Sequence, residues 1–84
     1  MKSVTVYTQT ICPYCTAAKS MLTGKKIAFE EVNLDKRPDA EWEALQKKTG
    51  FKTLPQIFIG EDFVGGYQEL SALDRSGQLE KKLT

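Results

Sequence analysis

The chain has no histidine, a single tryptophan and only two cysteines, Cys12 and Cys15. A closed zinc site takes four nitrogen or sulfur ligands, so one copy of this chain cannot build it. Two cysteines also fall short of the disulfide framework on which small secreted domains rely. Neither sign of charge dominates: twelve basic and eleven acidic side chains leave a net charge of +1. That balance gives no general attraction to nucleic acid or to an anionic membrane. No apolar run approaches the length needed to span a bilayer. The opening MKSVTVYT enters an alternating pattern with no apolar stretch and no small-residue cleavage site, so no secretion signal is expected and a cytoplasmic location is. Repeats, linkers and low-complexity tracts are also lacking.

What is present fits a single soluble domain over residues 1–84, with 40% hydrophobic and 27% charged residues. Ser3 to Tyr7 alternates and is rich in β-branched residues, which predicts a strand. From Pro13 onward the pattern turns helical, with Ala18, Met21 and Leu22 on one face and Gly24 where a cap belongs. Phe29 to Leu34 reads as a second strand. Pro38 to Thr49 reads as a second helix, ended by Gly50, with Trp42 and Leu45 facing a core. Leu54 to Ile59, the turn Gly60-Glu61-Asp62 and Phe63-Val64 form a hairpin whose second arm is broken at Gly65-Gly66. Gln68 to Leu83 is helical, interrupted at Gly77. The first βαβ unit implies two parallel strands and the hairpin adds two antiparallel ones, giving a mixed four-stranded sheet flanked by helices.

Both cysteines fall in the stretch Thr10-Ile11-Cys12-Pro13-Tyr14-Cys15-Thr16-Ala17. A staple across so short a loop constrains the unfolded chain very little. A metal site requires two copies of the chain sharing a zinc ion or an iron–sulfur cluster through paired CPYC loops. A redox pair requires only what the position supplies. Pro13 is tolerated in the first helical turn, so Cys12 sits at a helix mouth, where orphan N–H groups and the macrodipole favour a thiolate. Cys15, three residues on along the same face, reaches Cys12 from a deeper place. On that reading Cys12 attacks a disulfide and Cys15 resolves the mixed disulfide.

Four features in order make the chain resemble a glutaredoxin over essentially its whole length. They are Val4-Thr5-Val6-Tyr7 leading into Cys12-Pro13-Tyr14-Cys15, then Thr53-Leu54-Pro55-Gln56-Ile57-Phe58-Ile59, then Gly65-Gly66, and finally Leu70-Ser71-Ala72-Leu73. The resemblance implies an α/β, thioredoxin-like fold and reduction of protein disulfides and glutathione mixed disulfides through the Cys12/Cys15 dithiol. Glutathione is then a co-substrate, with no bound cofactor or metal. It further implies a cis peptide bond before Pro55 and a backbone at Leu54 that an extended peptide pairs with as an added strand. The carboxylate of the γ-glutamyl group falls to the backbone of Gly66, Tyr67 and Gln68 at a helix start. Tyr14, Lys52, Thr53, Leu54 and Pro55 complete the implied glutathione surface, with Gln9 as an outlying addition. The implied partners are glutathione and disulfide-containing or glutathionylated proteins, and a monomer is expected.

The chain departs from that family's usual pattern at three places. Gln9 stands where a lysine is usual three positions before the first cysteine, Phe51 where arginine or glutamine is common, and Gln68 where an aspartate often follows the paired glycines. Gly50-Phe51-Lys52-Thr53-Leu54-Pro55 also resembles redoxins that are recharged by thioredoxin reductase and serve ribonucleotide reductase. That is the second reading. A third, of another class, is an iron–sulfur carrier with Cys12 ligating a cluster between two chains.

Overall fold

Alternation sets the first strand. In the computed structural model, which describes residues 2–84, β1 runs Val4–Thr8 with Val4, Val6 and Thr8 buried and Thr5 and Tyr7 on the other face. Next come α1 (Pro13–Gly24), β2 (Glu30–Asn33), a short 3-10 turn (Leu34–Lys36) and α2 (Asp39–Thr49). The hairpin β3 (Gln56–Ile59) and β4 (Asp62–Gly65) follows, then α3 (Tyr67–Arg75) and α4 (Leu79–Leu83). The sheet order is β2-β1-β3-β4. β1 pairs parallel with β2, through Val6 opposite Glu31, and antiparallel with β3, through Val6 opposite Ile57. β3 and β4 are antiparallel, with an irregularity between Ile57 and Phe58. This is the expected mixed sheet.

β3 lies inside the sheet and all four of its residues are buried. Its alternate residues serve two layers. Ile57 and Ile59 join Val4 and Val6 beneath Ala18 and Leu22 of α1, Leu70 of α3, and Leu79 and Leu83 of α4. Gln56 and Phe58 face the other way, toward α2: Lys48 Nζ lies 5.2 Å over the Phe58 ring, and Thr49 Oγ1 donates to Gln56 Oε1 at 2.9 Å. Leu45 is buried on that helix and Trp42 is half-buried.

Element ends differ from expectation where local bonding outweighs pattern. Helix α1 keeps Gly24 as its last residue, and the left-handed position falls on Lys26, with φ 60°. Lys26 N–H donates to Thr23 O and Ile27 N–H to Leu22 O, which is a Schellman ending. Ile27 and Leu22 are both buried, so core packing carries the turn two residues past the glycine. Leu34 leaves the second strand because Asn33 Oδ1 accepts from Asp35 N–H and starts the 3-10 turn. Gly50 and Gly77, with φ of 76° and 75°, end α2 and α3 as expected.

Leu70 is fully buried where α3 meets α1 and the sheet. Leu70→Ala is expected to lower unfolding free energy by about 3 kcal/mol, a large share of the ~5–15 kcal/mol typical of a native domain. Urea denaturation followed by tryptophan fluorescence measures it.

Candidate active site

Strand pairing gathers four loops at one end of the sheet. β1 ends at Thr8 beside the start of β3 at Gln56, because the two run antiparallel. β2, parallel to β1, ends there at Asn33, and β4, antiparallel to β3, ends there at Gly65, opposite Ile57. The segments 9–12, 33–36, 51–55 and 65–68 therefore emerge together.

Cys12 is the N-cap of α1, in extended conformation, with Pro13 in the first turn. Its Sγ accepts from the Cys15 backbone N–H at 3.2 Å, and its carbonyl accepts from Thr16 N–H at 3.1 Å. The first turn of α1 carries no acidic side chain, so nothing there opposes negative charge at the sulfur. Cys12 is half-buried and Cys15 is 1% exposed, and the two are joined as a disulfide. Reduction thus leaves one thiol at the surface and one beneath it. The Leu54 carbonyl lies 3.7 Å from Cys12 Sγ, across 42 residues of sequence. In the disulfide this sulfur carries no proton, so the contact becomes a hydrogen bond only in the thiol form.

Beside this sulfur opens a groove of about 310 Å³. Thr53, Leu54 and Pro55, the last after a cis peptide bond, form one wall. Gly66, Tyr67 and Gln68 form the other, and Tyr14 stacks on Tyr67 at one end, ring centroids 6.2 Å apart. Gly66 is the N-cap of α3, and its N–H donates to Glu69 Oε1 at 2.7 Å. A glycine has no side chain to return that bond, so Glu69 alone closes the cap. Gly65, with φ +124°, is in close contact with the Glu69 side chain: a Cβ added there would stand 2.8 Å from Glu69 Cγ. The N–H groups of Tyr67 and Gln68 are first-turn donors without intrahelical partners.

Seven of the nine expected glutathione-surface residues line this groove, and two do not. Gln9 is exposed, its amide donating to the Ile11 carbonyl at 3.4 Å. Lys52 points to the flank of α2, beside Glu43, Gln46 and Lys47. The reason is packing: Phe51 takes the inward place, its ring 5.2 Å from that of Phe63. Phe51 and Glu69 line the groove without having been expected to.

Gln56 was given no role by the sequence, yet it holds the groove wall. It is fully buried, and its Nε2 donates to the carbonyls of Phe51 at 2.9 Å and Thr53 at 3.2 Å. A lone amide within the apolar run Leu54-Pro55-Gln56-Ile57-Phe58-Ile59 was the signal available. Nearby carboxylates are also tied. Glu31 is held below the usual carboxylate range by the Thr8 hydroxyl, at 2.7 Å, and then by Lys19. Asp35 is likewise lowered, by the Thr10 backbone N–H.

The fold and the site define a class: a mixed sheet flanked by helices, with a CxxC disulfide at a helix N-terminus next to a cis-proline loop. The comparisons narrow it. The family model described as Glutaredoxin matches residues 4–64. A Pseudomonas aeruginosa protein named Glutaredoxin is 44% identical, covering 100% of this chain and 99% of its own. Escherichia coli K12 Glutaredoxin 3 is 41% identical, covering 99% of each. Among solved structures, a buckwheat glutaredoxin–glutathione complex superposes with a TM-score of 0.93 at 30% identity, covering 98% of this chain and 76% of that one. A Brucella melitensis glutaredoxin in solution gives 0.84 at 41% identity, covering 99% and 89%. The chain belongs to the glutaredoxin family, with its thioredoxin-like fold, and is a thiol–disulfide oxidoreductase.

Gln56→Leu keeps the volume but removes the donor to the Phe51 and Thr53 carbonyls. A loss of about 1–3 kcal/mol in stability is expected, read by denaturant unfolding, together with faster amide exchange in residues 51–54 than elsewhere.

Proposed function

We propose that the protein uses glutathione to reduce protein disulfides and glutathione mixed disulfides, in the reducing environment of the cytoplasm. The observation that carries this reading is the groove beside the Cys12 sulfur. One wall offers the Leu54 backbone to an extended tripeptide, and the other offers the first-turn N–H groups of α3 to a carboxylate. A buckwheat relative of closely similar fold has been solved as a complex with glutathione.

On this reading the Cys12 thiolate attacks the glutathione sulfur of a mixed disulfide. The S–S bond breaks, its electron pair leaves with the protein sulfur, and Cys12 carries the glutathione. A second glutathione thiolate attacks that sulfur, releasing oxidised glutathione and restoring the Cys12 thiolate. With a protein disulfide, Cys12 becomes joined to one protein sulfur and the other leaves as thiolate. Cys15, deprotonated, then attacks Cys12 Sγ, freeing the second protein thiol and forming the Cys12–Cys15 disulfide. Two glutathiones reduce that disulfide and depart as one oxidised glutathione. The Cys15 N–H aimed at Cys12 Sγ favours its charged form in the steps where Cys12 attacks a disulfide and where it leaves glutathione.

A specific feature favours a second source of electrons. The groove holds the apolar Phe51, and Lys52 lies outside it. Recharging by thioredoxin reductase would need fewer polar contacts to glutathione, and ribonucleotide reductase would then be a fitting electron acceptor.

NADPH consumption is expected when the oxidised protein is supplied with glutathione and glutathione reductase, and not with thioredoxin reductase alone. Turnover through thioredoxin reductase only would transfer the function to the second reading. Cys12→Ser is expected to be inactive in either system.

Cys15→Ser is expected to keep turnover of a small glutathione mixed disulfide within a few-fold and to lose reduction of a protein disulfide by at least about a hundredfold. Equal loss of both in that variant would contradict the monothiol route.

A further inference from the structure

Ile11, next to the attacking sulfur, is 85% exposed, and Tyr14, on the other side of it, is 60% exposed. They are the exposed large apolar side chains among the described residues, and both lie within two positions of Cys12. A single exposed isoleucine ordinarily needs no explanation. Two features set this one apart. Its loop is anchored: Thr10 N–H donates to the Asp35 carboxylate at 2.7 Å, Thr10 Oγ1 accepts from Asn33 Nδ2 at 3.3 Å, and Asn33 Oδ1 accepts from Asp35 N–H at 2.9 Å. The Ile11 carbonyl is met by the Gln9 amide. The side chain is therefore held out from a fixed backbone rather than carried on a free tip. Ile11 is also absent from the lining of the groove, whereas Tyr14 lies within it.

Exchange chemistry says what covers Ile11. When Cys12 Sγ attacks the glutathione sulfur of a mixed disulfide, the polypeptide's leaving sulfur stands in line behind it, two S–S bond lengths or about 4 Å from Cys12 Sγ. Adjacent Cα atoms are about 3.8 Å apart, so residues flanking the substrate cysteine pass within side-chain reach of position 11. A polypeptide with an apolar residue there buries it against Ile11 and gains from leaving water, and one with a polar residue does not. We propose that Ile11 is a specificity-determining contact for the polypeptide half of the substrate, selecting disulfides whose cysteine is flanked by an apolar residue. The inference rests on the exchange reading above, with the groove side left to glutathione.

The test uses two glutathionylated peptides that differ only in the residues flanking the modified cysteine, leucine in one and serine in the other. Each is mixed with the fully reduced protein, and peptide thiol release is followed in a single turnover. The readout does not depend on what recharges the pair, so failure of the glutathione reading in the NADPH assay stays separate. Wild-type protein is expected to favour the leucine peptide about tenfold in second-order rate constant. Ile11→Ser is expected to bring that ratio near one, and Ile11→Leu to keep it. No preference in the wild type would overturn the proposal, as would a ratio unchanged by Ile11→Ser. Equal slowing of both peptides in that variant would assign Ile11 to the thiol instead of the partner and would also overturn it.

Discussion

The antiparallel pairing of β1 with β3 is the constraint on which the redox centre depends. It sets the end of the first strand beside the start of the third, so that Cys12 meets Leu54 across 42 residues of sequence. The direction of β2 and β4 then follows from their own pairing, and both deliver their carboxyl ends to the same place. One register therefore positions the nucleophile, the proline loop, the paired glycines and the loop that anchors Thr10. A slip of one residue would turn Val6 and Ile57 out of the core and dismantle all four together.

Around that frame, buried polar groups do the fine placement. Gln56 sits on a strand whose neighbours are apolar, and its amide bridges the chain on both sides of Lys52. The carbonyls of Phe51 and Thr53 are thereby fixed, while Phe51 packs on Phe63 and Lys52 lies at the flank of α2. Glu69 acts in a similar way at the second wall, closing the cap at Gly66 and pressing on Gly65 so closely that a side chain there has no room. The first wall is held by the Gln56 amide from outside the groove, the second by Glu69, which itself lines it. Their first-turn and backbone groups remain directed into it.

The two cysteines differ in depth. Cys12 is reached from solvent and by the Cys15 N–H, and Cys15 is almost wholly enclosed. A thiol at the surface can meet a foreign disulfide. A thiol beneath it meets only its neighbour. Ile11 and Tyr14 flank Cys12 in the sequence, one on an anchored loop and one lining the groove.

The sequence by itself determined the elements and the chemistry. Alternation in Val4–Thr8, proline after Cys12, and the glycines at positions 50 and 77 act through local backbone preferences that tertiary packing did not alter. The spacing of Cys12 and Cys15 made them neighbours on one helix end, and the motif run through Pro55 and Gly66 pointed to the groove. Tertiary structure decided what local pattern does not encode. Lys26 took the left-handed position because Ile27 had to reach the core. Lys52 left the groove because Phe51 had to pack against Phe63. Gln56 became a brace because burial on β3 turned its amide back onto the carbonyls of Phe51 and Thr53, a few residues before it. Charge and apolarity could be read residue by residue. Direction, whether a side chain faces the groove or the solvent, depended on contacts between segments far apart in the chain.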